Sequence, residues 1–260
     1  MIQLKSPREI EVMAEGGRIL GDALAIVRQE VRPGITTQRL DQIAEEFIRS
    51  HRGATPAFKG LYGFPGSVCI SINEEIVHGI PSRRRALNEG DIVSLDVGVE
   101  YESLFTDAAV TVGVGELAPD SQKLLEITER ALEAGIAAAR PGNHVGDIGA
   151  AVQAVVEPAG FSVVRDLVGH GVGYKPHEEE PQVPNYGKAK RGTKLMPGLT
   201  IAIEPMVNIG RPGIRTLSDK WTVVTVDGSR SAHFEHTVAI TEQGPRVLTR
   251  AEVSAPTGGR

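Results

Sequence analysis

The sequence predicts an α+β protein built from two similar halves. Three observations carry that prediction. A pair of helices followed by strands appears once before residue 115 and again after it. The tripeptide Arg32-Pro33-Gly34 recurs 108 residues later as Arg140-Pro141-Gly142. The segment LNEGDIVSLD, ending at Asp96, matches LMPGLTIAIE, ending at Glu204, at the same spacing. Two matches at one offset point to an internal duplication, with halves of about 6–115 and 120–245. One domain is expected over 1–250, and a flexible Pro/Gly-rich tail over 251–260.

Each element follows from local chemistry. Ser6-Pro7-Arg8-Glu9 opens a helix, with Ser as N-cap, Pro at the first position and Glu at the third. Ile10, Met13, Ile19, Leu20, Leu24 and Val27 then recur at helical spacing, and Pro33-Gly34 ends the run. Thr36 or Thr37 caps a second helix with Leu40, Ile43, Ala44, Phe47 and Ile48 on one face, and Gly53 stops it. A loop from Thr55 to Ser67 is rich in Gly, Pro and aromatics. Strands are predicted at Val68–Ile72, Ile76–Gly79, Asp91–Val99 and Phe105–Val114. In the second half, Ser121–Ala139 and Val145–Val156 are helical. Strands follow at Ser162–Leu167, Thr200–Val207, Trp221–Val226 and Glu235–Thr241.

Composition narrows the function classes. The 260 residues are 40% hydrophobic and 23% charged, with a net charge of −5, as in an ordinary globular protein long enough to bury a large core. A negative balance gives no bulk attraction for nucleic acid. The run Arg83-Arg84-Arg85 reads as a solvated loop. Cys69 is the single cysteine, so no intrachain disulfide forms, in keeping with a reducing compartment. Charges interrupt the N-terminal stretch too early for a signal peptide, and no run of about 18 apolar residues offers a membrane span. A cytoplasmic protein with no nucleic-acid or membrane partner is expected.

The densest chemistry lies in Leu167–Asn185, read LVGHGVGYKPHEEEPQVPN. Glycines around His170 let backbone approach a ligand closely, and His177 follows seven residues later. The duplication places Asp96 and Glu204 at equivalent positions inside apolar strands, where a carboxylate is costly unless paired or bound to metal. Asp107 before AAVTV and Glu235 before HTVAI are counterparts by context. Asp96, Asp107, His170, Glu204 and Glu235 form a thiolate-free set suited to two divalent cations: Mn, Fe(II), Co or Zn, with Mg alone less natural beside an imidazole. Water between two such cations becomes a hydroxide donor near neutral pH, the kit for amide hydrolysis without a covalent intermediate. There is no GxSxG elbow and no GxxxxGK[ST] loop. Cys69 reads as a buried spectator. His233 and His236 read as structural or supporting residues, and His51 and His144 as surface helix residues.

The sequence resembles type I methionine aminopeptidases from about Ser6 to Leu248. The stretches that carry the likeness are GFPGSVCISINEEIVHGIP (Gly63–Pro81), GDIVSLDVG (Gly90–Gly98), TDAAVTVG (Thr106–Gly113), GHGVG with His177, IEPMVN (Ile203–Asn208) and FEHTVAIT (Phe234–Thr241). The resemblance implies the pita-bread fold, two pseudo-symmetric halves with an antiparallel sheet covered by helices. It implies removal of the initiator methionine from new chains when the next residue is small. Asp96 would chelate one metal, Asp107 and Glu235 would bridge both, and His170 and Glu204 would complete the other. Glu204 would also be the general acid/base, His177 would contact the substrate amide, and His78 would lie on the substrate side. Phe64, Cys69 and Trp221 would line the methionine pocket. Partners would be nascent N-termini, with transient ribosome contact, and the chain would be a monomer.

Departures from the family pattern touch the pocket. Leu61 and Phe64 stand where many relatives carry Tyr, Pro176 precedes His177 where a larger apolar residue is common, and HEEEP holds an extra Glu. The rival enzyme reading is a prolidase or X-Pro aminopeptidase, whose larger N-terminal domain this chain has no room for. A metal-free creatinase-like hydrolase or a binding module on the same fold would leave a complete ligand set idle.

Overall fold

Ser6 starts the first helix as its neighbours dictate. Its Oγ accepts from the Glu9 N–H at 3.3 Å, and the Glu9 carboxylate accepts from the Ser6 N–H at 2.8 Å. The computed structural model describes residues 2–251, so the tail expected over 251–260 lies, apart from Ala251, outside the described residues. Helix α1 runs Pro7–Glu30 and α2 runs Thr37–Ser50, with Thr36 accepting from the Arg39 N–H. Helix α3 runs Pro119–Ala138, opening before the expected Ser121 because Pro119 occupies the first turn, where no N–H is needed. Helix α4 runs Val145–Val156 behind His144, whose N–H donates to Asp147. His144 is thus a helix cap rather than a surface helix residue.

Among the described residues, fifteen strands fill the spaces between. The first half holds β1 Ala54–Pro56, β2 Val68–Ile72, β3 Glu75–Val77, β4 Ile92–Tyr101 and β5 Leu104–Gly113. The second holds β6 Ser162–Val163, β7 Gly169–Gly171, β8 Glu178–Val183, β9 Thr200–Ile203, β10 Met206–Asn208, β11 Ile214–Thr216, β12 Val223–Thr225, β13 Ser231–His233, β14 Glu235–Thr241 and β15 Gly244–Val247. A nine-stranded sheet orders them β1-β4-β5-β14-β9-β7-β8, with β2 on β4 and β15 on β14. Two three-stranded sheets, β13-β10-β6 and β11-β12-β3, complete the fold.

Alternation along the strands assigns the faces of the large sheet. Val93, Leu95 and Val97 of β4 pack with Leu20 and Leu24 of α1 and Leu40 and Ile48 of α2. Ile201 and Ile203 of β9, with Val238 and Ile240 of β14, pack with Leu124 and Leu132 of α3 and Ile148 and Val152 of α4. Both helix pairs therefore cover one face, and the intervening residues, Asp96 among them, turn to the other.

The two halves repeat detailed contacts as well as sequence. Gly34 N–H donates to Leu87 O, and Gly142 N–H donates to Leu195 O. Single-residue bridges join Thr36 to Ala86 and His144 to Lys194. Every one of these pairs differs from its counterpart by the same 108 positions. The Arg-Pro-Gly turns place Gly34 and Gly142 at φ +85° and +89°, which a side chain would resist.

Three expected strands differ. Thr200–Val207 splits after Ile203, because Pro205 brings no N–H to the ladder; β9 stays in the large sheet and β10 passes to a small one. Trp221 lies outside β12, since Asp219 accepts its N–H in a side-chain turn. Only Ser162–Val163 of Ser162–Leu167 is paired as a strand. Strand β8 lies where the sequence predicts none, because Glu and Pro are poor strand formers.

Entry into β2 is fixed by Asp41 of α2. Its buried Oδ1 accepts from the Ser67 N–H at 2.7 Å and the Val68 N–H at 3.0 Å. Replacing Asp41 by Ala strands two buried N–H donors and should cost roughly 2–4 kcal/mol in urea unfolding. Asp41→Asn, which keeps an acceptor, should recover most of that loss; an Asp41→Ala variant as stable as the parent would contradict the clamp.

Candidate metal centre

Strand register assembles the acidic face. Asp96 on β4 and Glu235 on β14 both lie opposite Ala109 of β5. Asp107 stands two residues before Ala109 on the same strand, hence on the same face. His236 pairs with Ile203, so one further step along that register brings Glu204 level with Glu235, although Glu204 itself lies just past β9. Gly171 pairs with Ile201, which turns His170 to the same side. Where the β5–β14 ladder ends, the Thr237 hydroxyl takes over. It accepts from the Asp107 N–H and donates to the Asp107 carbonyl, each at 2.8 Å.

Side-chain geometry then closes the cluster. Ligand atoms of Asp96, Asp107 and Glu235 lie within 4.8 Å of one another, as do those of His170, Glu204 and Glu235. A third such group is Asp107, His170 and His177. Glu235 and Asp107 thus each belong to two groups. His170 Nε2 lies 3.5 Å from Glu204 Oε1 and 3.9 Å from Asp107 Oδ2. Its Nδ1 is 2.9 Å from the Gly171 carbonyl, so a donating Nδ1–H leaves the Nε2 lone pair aimed at the carboxylates.

Those carboxylates are poorly served by protein alone. Asp96 Oδ1, Asp107 Oδ1 and Glu235 Oε1 are buried without a hydrogen-bond partner among the described residues. Burial first, and for Asp107 and Glu235 then their acidic neighbours, raise the pKa of all three. Burial also pushes Glu204 up, but His233, His170 and His177 outweigh it and hold this carboxyl below its ordinary range. Stranded oxygens facing an open imidazole nitrogen are a donor set for hard or borderline divalent cations. The residues present therefore fit metal binding.

A cavity of about 260 Å³ opens onto the cluster, and all ten residues singled out in the sequence line it. Phe64 meets Trp221 edge-on with ring centroids 5.2 Å apart, and both pack with Cys69, Phe58 and Leu61. Cys69 pairs with Asp96 across β2 and β4; burial raises its thiol pKa, which leaves it a wall rather than a nucleophile. His78 sits at φ +60° with its ring 6.5 Å from Trp221. His177 is exposed at the mouth, its ring 4.5 Å from His170 and nearly parallel to Phe58 at 6.4 Å. Desolvation there, followed by the nearby His170, lowers His177 to about 4, so it is neutral at pH 7.

Two features escaped the sequence. Phe58 shapes the mouth beside His177 by packing over Gly98, where a Cβ would meet its ring at 2.7 Å. The His177 loop is also tied to the start of the chain. Lys5 Nζ, completely buried, contacts both Glu178 oxygens at 2.6 and 2.8 Å, and Glu178 Oε1 also accepts from the Tyr174 N–H. Nothing local to Lys5 or to HEEEP announces that pairing.

Comparison with known proteins agrees with this chemistry. Residues 11–242 match metallopeptidase family M24. A methionine aminopeptidase of Clostridium perfringens is 54% identical over 249 residues, covering 96% of this chain and 99% of that protein. Methionine aminopeptidase 1 of Bacillus subtilis is 51% identical over 250 residues, covering 96% and 100%. The crystal structure of a methionine aminopeptidase from Thermotoga maritima superposes with a TM-score of 0.94 at 46% identity, covering 96% and 100%. A prolidase from Pyrococcus horikoshii shares the fold at a TM-score of 0.77 and 24% identity, with only 64% of that chain covered.

Like charges held this close should relax when one is removed. Asp107→Asn is expected to raise the unfolding midpoint of chelator-stripped protein, by about 2–4 °C per kcal/mol of repulsion relieved, while abolishing the stabilisation that added Mn²⁺ gives the parent. A lower metal-free midpoint would mean that Asp107 is held by stabilising partners instead.

Proposed function

The chain belongs to metallopeptidase family M24 as a metallo-aminopeptidase with the pita-bread fold, and we propose that it removes the N-terminal methionine from new proteins whose second residue is small. One observation carries the reading: four carboxylates and an imidazole share one sheet face at the floor of a cavity with an apolar wall. Asp96, Asp107, His170, Glu204 and Glu235 would hold a pair of divalent cations. The metals are Mn, Co, Fe(II) or Zn. Such a pair, when bound, lowers the pKa of water and polarises the scissile carbonyl.

The protein's own groups do the rest. Phe64, Cys69 and Trp221 receive the methionine side chain, whose flexible thioether suits an irregular apolar wall. Glu204 takes a proton from the attacking water and returns it to the leaving amine. His177, neutral at pH 7, donates to the oxygen on which charge develops. His78 lies on the substrate side of the same wall, beside Trp221. The substrates are nascent N-termini, met in the cytoplasm with transient ribosome contact, and the enzyme works as a monomer. No helix of the described residues is long and apolar enough to cross a membrane, and the net charge of −5 gives nucleic acid no general attraction.

Hydrolysis of a Met-Ala-Ser peptide by chelator-stripped protein, with and without Mn²⁺ or Co²⁺, tests the reaction. Metal-dependent release of free methionine is expected, with no cleavage of Ala-Pro and little of a Met-Leu peptide. Cleavage of Ala-Pro would move the enzyme to the prolidase side of the fold, and tight metal uptake without cleavage would make it a binding module.

Single replacements separate the roles. Glu204→Gln should lower kcat by about 10²–10⁴-fold. His177→Ala should lower it by roughly 10²-fold with metal content unchanged. Metal lost along with activity in His177→Ala would place that imidazole among the ligands, as its grouping with Asp107 and His170 allows.

A further inference from the structure

We infer that His233, on the wall of the same cavity, is a positioning residue of this centre: it donates a hydrogen bond to Glu204 Oε2, with Glu235 Oε2 as its second acceptor, and so sets the orientation of both carboxylates. The inference rests on the reading of Glu204 and Glu235 as metal ligands and adds a residue to which that reading gives no part.

The imidazole is 1% exposed, yet neither ring nitrogen has a hydrogen-bond partner among the described residues. A buried, unpaired ring of this kind costs stability unless something it can donate to is brought within reach. Two acceptors wait just outside bonding distance. His233 Nε2 lies 3.5 Å from Glu204 Oε2 and 3.8 Å from Glu235 Oε2. The other Glu204 oxygen, Oε1, lies 3.5 Å from His170 Nε2 on the cavity side. Two imidazoles therefore divide one carboxylate between them, His170 facing one oxygen and His233 the other.

Chain geometry makes the placement firm. His233 ends β13 in the small sheet, opposite Met206, and two residues later the chain enters the large sheet at Glu235. Glu204 sits at the matching crossing between β9 and β10. His233 thus lies in the corner where both proposed ligands change sheets. Its backbone is pinned to β5 from both sides. The His233 N–H donates to Thr111 Oγ1, and the Thr111 hydroxyl donates to the His233 carbonyl, each at 2.8 Å. The Ser94 hydroxyl, 2.8 Å away, then donates to Thr111 Oγ1, which uses that hydroxyl fully. A ring fixed by its backbone and free of other partners can bond only by the carboxylates settling onto it. Outer donors of this type orient ligating groups and tune affinity for the metal.

The test compares His233→Leu and His233→Gln with the parent in chelator-stripped form, by Mn²⁺ calorimetry and thermal unfolding. His233→Leu should bind Mn²⁺ about 10–100-fold more weakly, while its metal-free unfolding midpoint stays level or rises, because an unpaired polar ring has been removed. His233→Gln, whose amide can still donate, should stay within about threefold of the parent. Parental Mn²⁺ affinity in His233→Leu would overturn the inference. So would a fall in its metal-free midpoint, or failure to fold, which would make the ring a packing element. A Gln variant as weak as Leu would show that shape, not donation, is at work. A parent that takes up no Mn²⁺ would bring down the metal reading itself, and this inference with it.

Discussion

Four carboxylates forced onto one face of one sheet are the constraint on which the structure turns. Their mutual repulsion and desolvation oppose the folded state, and only the rest of the fold holds them there. Two helix pairs bury their apolar stripes against the opposite face of the same sheet. That burial is large and non-directional, so it can supply the energy without specifying the site. Direction comes from strand register and from a few hydroxyl and carboxylate clamps: Thr237 on Asp107, Thr111 on His233, and Asp41 at the entry to β2. The division of labour leaves one sheet face for stability and the other for chemistry.

Duplication made much of this legible. Asp96 and Glu204 stand out because two apolar strands, 108 residues apart, each carry an acid that burial disfavours. Asp107 and Glu235 needed context beyond that offset, and His170 has no counterpart at all. The pocket residues were reached through family likeness, since an aromatic or a lone cysteine in a strand reads equally well as core. What stayed hidden depends on contacts between distant segments. Phe58 gains its place from the absence of a side chain at Gly98. Strand β8 begins with Glu178, a residue that would be solvated but for Lys5.

The strand expected over Thr200–Val207 breaks at Glu204-Pro205, because proline cannot feed a ladder hydrogen bond. The first-half acid, Asp96, sits in the middle of an unbroken ten-residue strand, whereas Glu204 sits at a corner between two sheets. Equivalent positions therefore differ in backbone setting: Asp96 is paired on both sides by β2 and β5, whereas Glu204 lies between ladders and its carbonyl accepts from the Asn185 side-chain amide.

Lys5 and Glu178 are 173 residues apart in sequence. Closing a flexible loop of that length costs on the order of 4–5 kcal/mol of chain entropy, and neither charge can be buried before the other arrives. The pair is thus a contact of high order, formed only once the halves have docked. His177, next to Glu178, is held by the same event. In a chain still being synthesised, Asp96 and Asp107 emerge long before Glu235, so an incomplete polypeptide carries acids without their histidines or their partners across the sheet. The site therefore comes into being as a property of the finished topology, and an enzyme proposed to trim chains as they are made has its own active centre assembled only after its own synthesis has run nearly to the end.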